Sequence, residues 1–390
     1  MTRIETIQAA LRRDKLDGWL FFDHHRRDPL AYSILQLPDS VMVSRRWYYF
    51  VPTNGEPQKL VHRIESGTLD TLPGNKLSYS SWADQQASLR TLLAGCSRIA
   101  MQYSPRCAIP YVSLVDAGTL ELVRETGVEV FSSADLVQEF EARWTAEQFQ
   151  QHLAAGKLVD RVRRDAFLFI GERFSAGNAV GEYEVQQFIR TEFAALGLFT
   201  DHGPIVAVDA NASDPHYKPR RDRSTPIKHG DLVLIDLWAK LQNPGAVYYD
   251  VTWCGFCGHD IPNEIQNVFE IVRDARKRAS DFVIKNVAKG ETIAGFQVDD
   301  QARLYIGEKG FGEFFYHRTG HSIGTEVHGT GANMDNLESH DERCLIPRTC
   351  FSVEPGIYLP TFGIRSEVDV YVGEGFATVT GEEQDQLVRI

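Results

Sequence analysis

The chain has 390 residues, of which 43% are hydrophobic and 24% are charged, the balance of an ordinary folded protein. This length exceeds one hydrophobic core and predicts two domains, and the net charge of −12 argues against a general nucleic-acid-binding protein. No apolar run has the length of a membrane span or the form of a signal peptide, so we expect a cytoplasmic protein that binds neither nucleic acid nor membrane.

The first 140 residues alternate helical and strand-like segments. Ile4, Ile7 and Leu11 recur at helical spacing and predict an opening helix. Further along, the pattern predicts strands near 19–22, 47–51, 59–61, 98–101 and 128–131, and a helix near 87–93. We therefore predict an α/β domain over residues 1–140. Within it, the basic run His24-His25-Arg26-Arg27 is interpreted as a solvated loop.

The second part of the chain, residues 141–390, begins with helices and continues with strands. Thr145 and Gln148 have the spacing of a capping box and predict the start of a long helix. The pattern also predicts helices near 182–196, 263–285 and 298–307, and strands at 204–208, 231–238, 247–253 and beside residues 354 and 367. We expect 231–238 and 247–253 to form a hairpin. The whole chain is accordingly predicted to be an α+β protein.

Four carboxylates lie in or beside these apolar, strand-like segments, namely Asp236, Asp250, Glu354 and Glu367. Burying carboxylates alone is costly, but the cost falls when they share a multivalent cation. His321 adds one imidazole in a glycine-flanked segment. Such an oxygen-rich set favours Mn²⁺, Fe²⁺, Co²⁺ or Zn²⁺ over a structural zinc site. Four carboxylates exceed the needs of one ion and indicate two bridged ions.

Each of these residues, taken singly, also has an ordinary structural interpretation. An aspartate near a strand end commonly caps a turn, and a histidine in a glycine-rich loop is commonly hydrogen-bonded to its surroundings. Glu354, which precedes Pro355-Gly356, could simply open a turn. Their joint order and spacing favour the metal site.

The order Asp, Asp, His, Glu, Glu resembles the metallopeptidase family of methionine aminopeptidases, Xaa-Pro aminopeptidases and prolidases, with creatinase as a metal-free relative. The motifs that carry this resemblance are Leu234-Ile235-Asp236-Leu237, Asp250-Val251-Thr252, the segment 317–324, Val327-His328, Ser352-Val353-Glu354-Pro355-Gly356 and Ile364-Arg365-Ser366-Glu367. Pro215-His216-Tyr217 matches the upstream histidine motif of the proline-directed branch. The resemblance implies a creatinase-like N-terminal domain over 1–140, a pita-bread catalytic domain over 141–390, and a homodimer.

The resemblance also implies the roles of the metal ligands. Asp236 would bind one ion, Asp250 and Glu367 would bridge both ions, and His321 and Glu354 would complete the other. Glu354 would in addition shuttle the proton of the water that bridges the two metals.

The resemblance implies two histidines for the substrate side of the site. His216 and His328 would line the substrate pocket and stabilise the tetrahedral intermediate. Apart from the resemblance, the charge run of the loop 218–223 is typical of a solvated face. The loop follows His216, however, so one of its cations could reach the pocket. The loop and Arg365 are therefore candidates for binding a substrate carboxylate, because arginine holds carboxylates in a bidentate manner.

The implied activity is that of a dinuclear-metal exopeptidase that hydrolyses Xaa-Pro bonds in small peptides, as a dipeptidase or an aminopeptidase, with Mn²⁺ as the first choice and Co²⁺, Zn²⁺ or Fe²⁺ as alternatives. The chain departs from the family pattern at Trp238, where glycine is usual, and at Gly329 to Gly331, where glutamate and proline are usual. These departures leave open a metal-dependent hydrolase or lyase of a small non-peptide zwitterion. A binding protein that has lost catalysis is a third interpretation, against which the intact ligand set argues.

Overall fold

The computed structural model describes residues 2–38, 40 and 42–390 and divides into two compact units, Met1–Glu141 and Ala142–Ile390. The mixture of helices and strands confirms the predicted α+β class. No helix among the described residues is long and apolar enough to cross a lipid bilayer.

The first unit contains one six-stranded sheet in the order β4-β3-β2-β1-β5-β6. Its strands are β1 (Gly18–Asp23), β2 (Trp47–Pro52), β3 (Gln58–His62), β4 (Asn75–Tyr79), β5 (Arg98–Met101) and β6 (Glu129–Ser132). Its helices are α1 (Arg3–Arg13), α2 (Pro29–Leu35), α3 (Trp82–Leu92), α4 (Ala117–Arg124) and α5 (Ala134–Val137). β2 is antiparallel to both neighbours, whereas the other adjacent pairs are parallel. The carboxyl ends of β1, β3, β4, β5 and β6 therefore lie along one edge of the sheet.

The opening helix α1 illustrates how local sequence builds this unit. Thr2 and Glu5 form a reciprocal capping box at its start. Ile7, Ala10 and Leu11 face inward and join a buried cluster with the aromatic side chains of β1 and β2. The capped end and the apolar stripe together place the helix against the sheet.

The second unit begins at α6 (Ala146–Ser175), whose predicted capping box between Thr145 and Gln148 is confirmed. The other helices of this unit are α7 (Glu182–Ala195), α8 (Asn263–Ala288) and α9 (Gly295–Glu308). Its strands are β7 (Leu198–Phe199), β8 (Ile205–Val208), β9 (Leu232–Leu241), β10 (Tyr249–Phe256), β11 (Ser322–Ile323), β12 (Thr349–Val353), β13 (Gly356–Tyr358), β14 (Gly363–Arg365), β15 (Val368–Val372), β16 (Ala377–Val379) and β17 (Val388–Arg389).

Two sheets form the core of this unit. One has the order β17-β10-β9-β7, with β8 also paired to β9, and the other has the order β11-β12-β15-β16. Side chains of β9 alternate: Val233 and Ile235 join the buried cluster that contains α6 and α7, whereas Leu234 joins the cluster of α8, α9 and the second sheet. Asp236 has the parity of Leu234 and thus points toward the second sheet.

Candidate metal centre

The predicted hairpin of β9 and β10 positions both aspartates. In its antiparallel register Asp236 pairs with Thr252, and Asp250 pairs with Trp238. Residues 236 and 238 share one face of β9, so both carboxylates project from the same face of the hairpin in a diagonal relation. Both aspartates are buried.

The two glutamates lie at one end of a second strand pair. Glu354 directly follows β12 and Glu367 directly precedes β15, and the pairing of Val353 with Val368 brings these ends together. The backbone N–H of Glu367 donates to the carbonyl oxygen of Thr252 at 3.1 Å. This bond ties the second sheet to the hairpin that carries the aspartates.

His321 is fixed through its backbone and its ring. Its backbone N–H donates to the hydroxyl of Ser352 at 3.0 Å, and its Nδ1 lies 3.2 Å from the carbonyl oxygen of Ser322. Since a carbonyl can only accept, Nδ1 carries the proton, and Nε2 presents a lone pair. Nε2 lies 3.7 Å from Oδ2 of Asp250 and 3.4 Å from Oε1 of Glu354.

The segment before His321 requires a residue without a side chain. A Cβ atom at Gly320 would collide with the backbone carbonyl of Ser352 on β12, whereas one at Gly324 would come no closer than 4.0 Å to another atom, the carbonyl oxygen of Glu326. Gly320 thereby allows the segment that carries His321 to lie close to β12, the strand that precedes Glu354.

We expect Gly320→Ala to lower the free energy of unfolding by about 1–3 kcal/mol, because backbone must shift to admit the methyl group. The measurement is urea unfolding of metal-stripped protein. Gly324→Ala is the matched control and should change stability much less. Equal stability of the two variants would contradict the close approach.

The structure brings together three of the five predicted ligands most closely. Asp250, His321 and Glu367 each offer one ligand atom, and these atoms all lie within 4.8 Å of one another in buried surroundings. Oδ1 of Asp250 is buried and has no hydrogen-bond partner among the described residues. Glu354 adjoins this group through His321, as described above. An oxygen-rich set with an unpartnered carboxylate oxygen and one free imidazole nitrogen fits a divalent cation.

Electrostatics of the cluster support the same fit. Burial and then the neighbouring Glu367 raise the pKa of Asp250 well above its usual range, and burial and then Glu354 do the same to Glu367. Burial likewise raises the pKa of Glu354 to about 7. Burial lowers the pKa of His321 well below its usual value, which keeps the imidazole neutral and able to ligate. Without a cation, these carboxylates repel one another in a poorly solvated site.

Asp236 is held by a buried arginine. Arg365 is only 3% exposed and donates from Nη2 to Oδ2 of Asp236. Its Nε donates to the hydroxyl of Thr252 at 3.1 Å, and its Nη1 donates to the hydroxyl of Tyr358 at 3.2 Å. With its donors directed to protein partners, Arg365 is placed to orient Asp236. Its predicted role in substrate binding stays a prediction.

The two other predicted histidines, His216 and His328, are more exposed than His321. His216 is exposed, and its backbone N–H donates to Asp214 at 3.0 Å. His328 is also exposed, but its ring packs edge-on against His321 with centroids 4.4 Å apart. The pKa of His328 is lowered, first by partial desolvation and then by Arg318 and His216. His216 also contributes to the electrostatics of Asp236. Both histidines thus neighbour the cluster.

Sequence reasoning assigned no role to several residues that support these ligands. The Thr252 hydroxyl donates to Oε2 of Glu367 at 2.7 Å, and the Ser352 hydroxyl donates to Oε1 of Glu354 at 3.1 Å. The buried Asp369 accepts from the backbone N–H of Asp250 at 2.9 Å. The sequence did contain a signal for Asp369, because it is a charged residue between two apolar residues, Val368 and Val370.

Comparison with known proteins gives one family and a set of relatives. A sequence model of metallopeptidase family M24 matches residues 150–374. The Xaa-Pro dipeptidase of Lactobacillus helveticus is 32% identical over 244 residues, which are 62% of this chain and 60% of that protein. The Xaa-Pro dipeptidase of Pyrococcus horikoshii is 37% identical over 186 residues, 47% of this chain and 48% of that protein. The chain therefore spans about half to three fifths of the length of these curated relatives.

Solved structures match over the whole chain. A dipeptidase PepE from Mycobacterium ulcerans has a TM-score of 0.70 at 24% identity and covers 100% of this chain and 97% of its own. An X-prolyl aminopeptidase from Caenorhabditis elegans, described as a cytosolic enzyme with a di-nuclear active site, has a TM-score of 0.65 at 16% identity and covers 97% of this chain and 60% of its own. At these identities the likeness establishes the fold, and the predicted pita-bread architecture is confirmed.

Proposed function

Because this chain belongs to metallopeptidase family M24, we propose that it is a dinuclear-metal exopeptidase that hydrolyses Xaa-Pro peptide bonds. The observation that carries the proposal is the buried cluster of Asp250, His321 and Glu367, which offers ligand atoms within 4.8 Å of one another. Curated relatives named Xaa-Pro dipeptidase support the substrate class.

We assign the metal ligands by the roles that the family implies. Asp236, Asp250, His321, Glu354 and Glu367 would hold two divalent ions, with Asp250 and Glu367 bridging them. The oxygen-rich set suits Mn²⁺ first, with Co²⁺, Zn²⁺ or Fe²⁺ as alternatives. When bound, such a pair supplies Lewis acidity and lowers the pKa of water.

Glu354 is our candidate for proton transfer. Its Oε1 lies 3.4 Å from Nε2 of His321, which places the carboxyl group beside the proposed ions and within reach of a water bound there. The Ser352 hydroxyl fixes Oε1, so the carboxyl group keeps one orientation. It would take a proton from the attacking water and return it to the departing prolyl nitrogen.

The histidines at the rim complete the proposal. His216 and His328 would donate hydrogen bonds to the oxygen that becomes negatively charged in the tetrahedral intermediate. Arg365 would hold Asp236 in its ligating orientation, so that this carboxylate is preorganised before substrate arrives.

The proposal also covers the substrate, the assembly state and the location of the protein. We take the substrate to be a small peptide and the assembly to be a cytoplasmic homodimer, with a creatinase-like first domain over residues 1–140. The C. elegans relative described as cytosolic supports the location. Light scattering on purified protein tests the dimer. The relatives do not favour the alternative substrate, a small non-peptide zwitterion.

The experiment that tests the function combines metal analysis with a substrate panel. Xaa-Pro dipeptides, longer peptides with proline in second position, and non-peptide zwitterions are offered to the metal-loaded enzyme. Cleavage of either peptide class supports the proposal. Turnover of only the non-peptide compounds, or two bound metals without any turnover, would overturn it.

Adding the C-terminal amides of the dipeptides to this panel separates a dipeptidase from an aminopeptidase. A dipeptidase must hold a free carboxylate, and the loop 218–223 supplies exposed cations beside His216. Among its arginines, Arg220 is paired with Asp222 at 2.9 Å, so Arg221 and Arg223 are the first candidates for the bidentate contact. We expect Xaa-Pro dipeptides to be cleaved faster than their C-terminal amides.

Charge removal in the loop gives the residue-level test. Arg221→Gln or Arg223→Gln should raise KM for the free acid and leave the amide unchanged, whereas Arg190→Gln on the exposed face of α7 should affect neither. Equal cleavage of acid and amide by the parent enzyme would exclude carboxylate anchoring and favour an aminopeptidase.

A further inference from the structure

A second group of chemically active residues lies in the first unit, at the carboxyl edge of its sheet. A cavity of about 410 Å³ opens there above β1 to β4. Its lining comes from the loop after β1, the loop before β2, the last residue of β3, the last residue of β4 and the start of α3. In open α/β sheets, crevices outside the carboxyl ends of parallel strands are the usual places for ligands.

The lining of this cavity, which we call the basic cavity, carries cationic and imidazole groups. They are His24, His25, Arg45, Arg46 and His62. Among the residues that the structure describes, no aspartate or glutamate lines it. The nearby Glu65 accepts from the backbone N–H groups of Ser44 and Arg45, which occupies its oxygens. Burial and then the positive neighbours His25, Arg27 and Arg46 lower the pKa of His24, as expected where cations are crowded.

The histidine pair is held in place by a buried carboxylate below it. Asp23 is 1% exposed and accepts from the backbone N–H groups of Arg26 and Arg27 at 2.9 and 2.6 Å. His25 and Arg26 both have left-handed backbone angles, with φ of 61° and 55°. Two successive non-glycine residues in that region are unfavourable and persist only when surrounding contacts enforce them. The rings of His24 and His25 lie 4.3 Å apart as a result.

The far wall of the cavity is the first turn of α3. Ser81 caps this helix, and the carboxylate of Asp84 in the same turn accepts from the backbone N–H of Ser80 at 3.3 Å. Trp82, whose side chain is 72% exposed, flanks the opening with an aromatic surface. The wall therefore offers a face on which a planar group can stack, and the positive charge of the cavity comes from its arginine side chains.

We propose that the basic cavity binds the phosphate group of a small molecule, with Arg45, Arg46, His24 and His25 as donors and Trp82 as the surface for an attached planar group. His62 lines the cavity without being a donor, because its Nδ1 accepts from the backbone N–H of Ile64 and its Nε2 lies 3.3 Å from the carbonyl oxygen of Ser80. Phosphate suits this lining because two loops contribute arginine and imidazole groups to one cavity, and arginine can pair with phosphate oxygens in a bidentate manner. The site is separate from the metal centre in sequence and does not depend on the proposed peptidase function.

The test follows the histidine ring signals of the full-length, metal-loaded protein by NMR during titration with inorganic phosphate, phenyl phosphate and phenol at constant ionic strength. We expect signals of His24 and His25 to move with either phosphate and not with phenol. Tighter binding of phenyl phosphate indicates an organic phosphomonoester, and equal binding indicates free phosphate. Movement confined to His321 or His328 would place the anion at the metal centre and overturn the proposal.

Variants identify the donors. Arg45→Gln combined with Arg46→Gln should weaken phosphate binding about tenfold or more, since charged donors to phosphate are lost. Arg90→Gln removes the same charge from an exposed position at the other end of α3 and should leave binding unchanged. Equal weakening in the control would mean general charge screening and would reject the site. His25→Asn, which tolerates the left-handed backbone, gives an independent second variant and should also weaken binding.

Discussion

Glu367→Gln and Asp250→Asn are each expected to abolish turnover, by more than about 10³-fold, and to prevent the protein from retaining two metal ions. Each residue is assigned as a bridge, so removing its charge affects both ions together. Metal content and turnover are measured on the same samples. Stripping metal from the parent should likewise abolish activity, and Mn²⁺ or Co²⁺ should restore it.

When no metal is present, the same variants should be more stable than the parent protein. Burial and neighbouring carboxylates raise the pKa of both groups well above the usual range, so their charged forms destabilise the metal-free fold. We therefore expect metal-free Glu367→Gln to have a higher Tm than the metal-free parent. Glu374→Gln, at an exposed position shortly after β15, is the matched control and should change little.

Two results would contradict this assignment. Retention of two ions in either variant would reject the bridging roles. Full activity of the metal-stripped parent would reject metal dependence altogether.

His216→Ala and His328→Ala should lower kcat about 10²–10³-fold while metal content stays unchanged, because each removes one donor to the developing negative charge. The positions of the two histidines explain why turnover should fall while metal content stays unchanged. His328 packs against the ring of His321 without being among the clustered ligand atoms, and His216 is exposed beyond it.

His259→Ala provides a control, since this histidine is exposed and lies outside the described cluster. It should retain both metal and turnover. A normal kcat in His216→Ala and His328→Ala would show that these histidines only pack against or cap their loops.

The parts of the fold that could be predicted were those with a local cause. The family resemblance is confirmed by the match to metallopeptidase family M24. The helix opened by Thr145 and the hairpin of β9 and β10 were visible because capping and apolar runs are written in adjacent residues. β4 was missed because its pattern is polar and mostly exposed, so its pairing with β3 depends on tertiary context.

The candidate site likewise has residues that the local sequence reveals and contacts that depend on residues far apart in the chain. Its carboxylates stood out because charge is unusual in apolar strands. The contact of Arg365 with Asp236 joins residues 129 positions apart, and no local pattern encodes it. For the same reason the position of Tyr358, whose hydroxyl accepts from Arg365, could not be foreseen.

The bonds between Thr252 and Glu367 also bear on when the protein can acquire its metals. The hydroxyl of Thr252 reaches the carboxylate of Glu367 across 115 positions of sequence, and the N–H of Glu367 returns to the Thr252 carbonyl. Contacts this distant close a long loop and tend to form late in folding. A nascent or half-folded chain would hold the aspartate hairpin without its glutamate partners and would compete poorly for scarce ions. Metal binding would then follow the folding of the second unit, so that only fully folded molecules would take up ions.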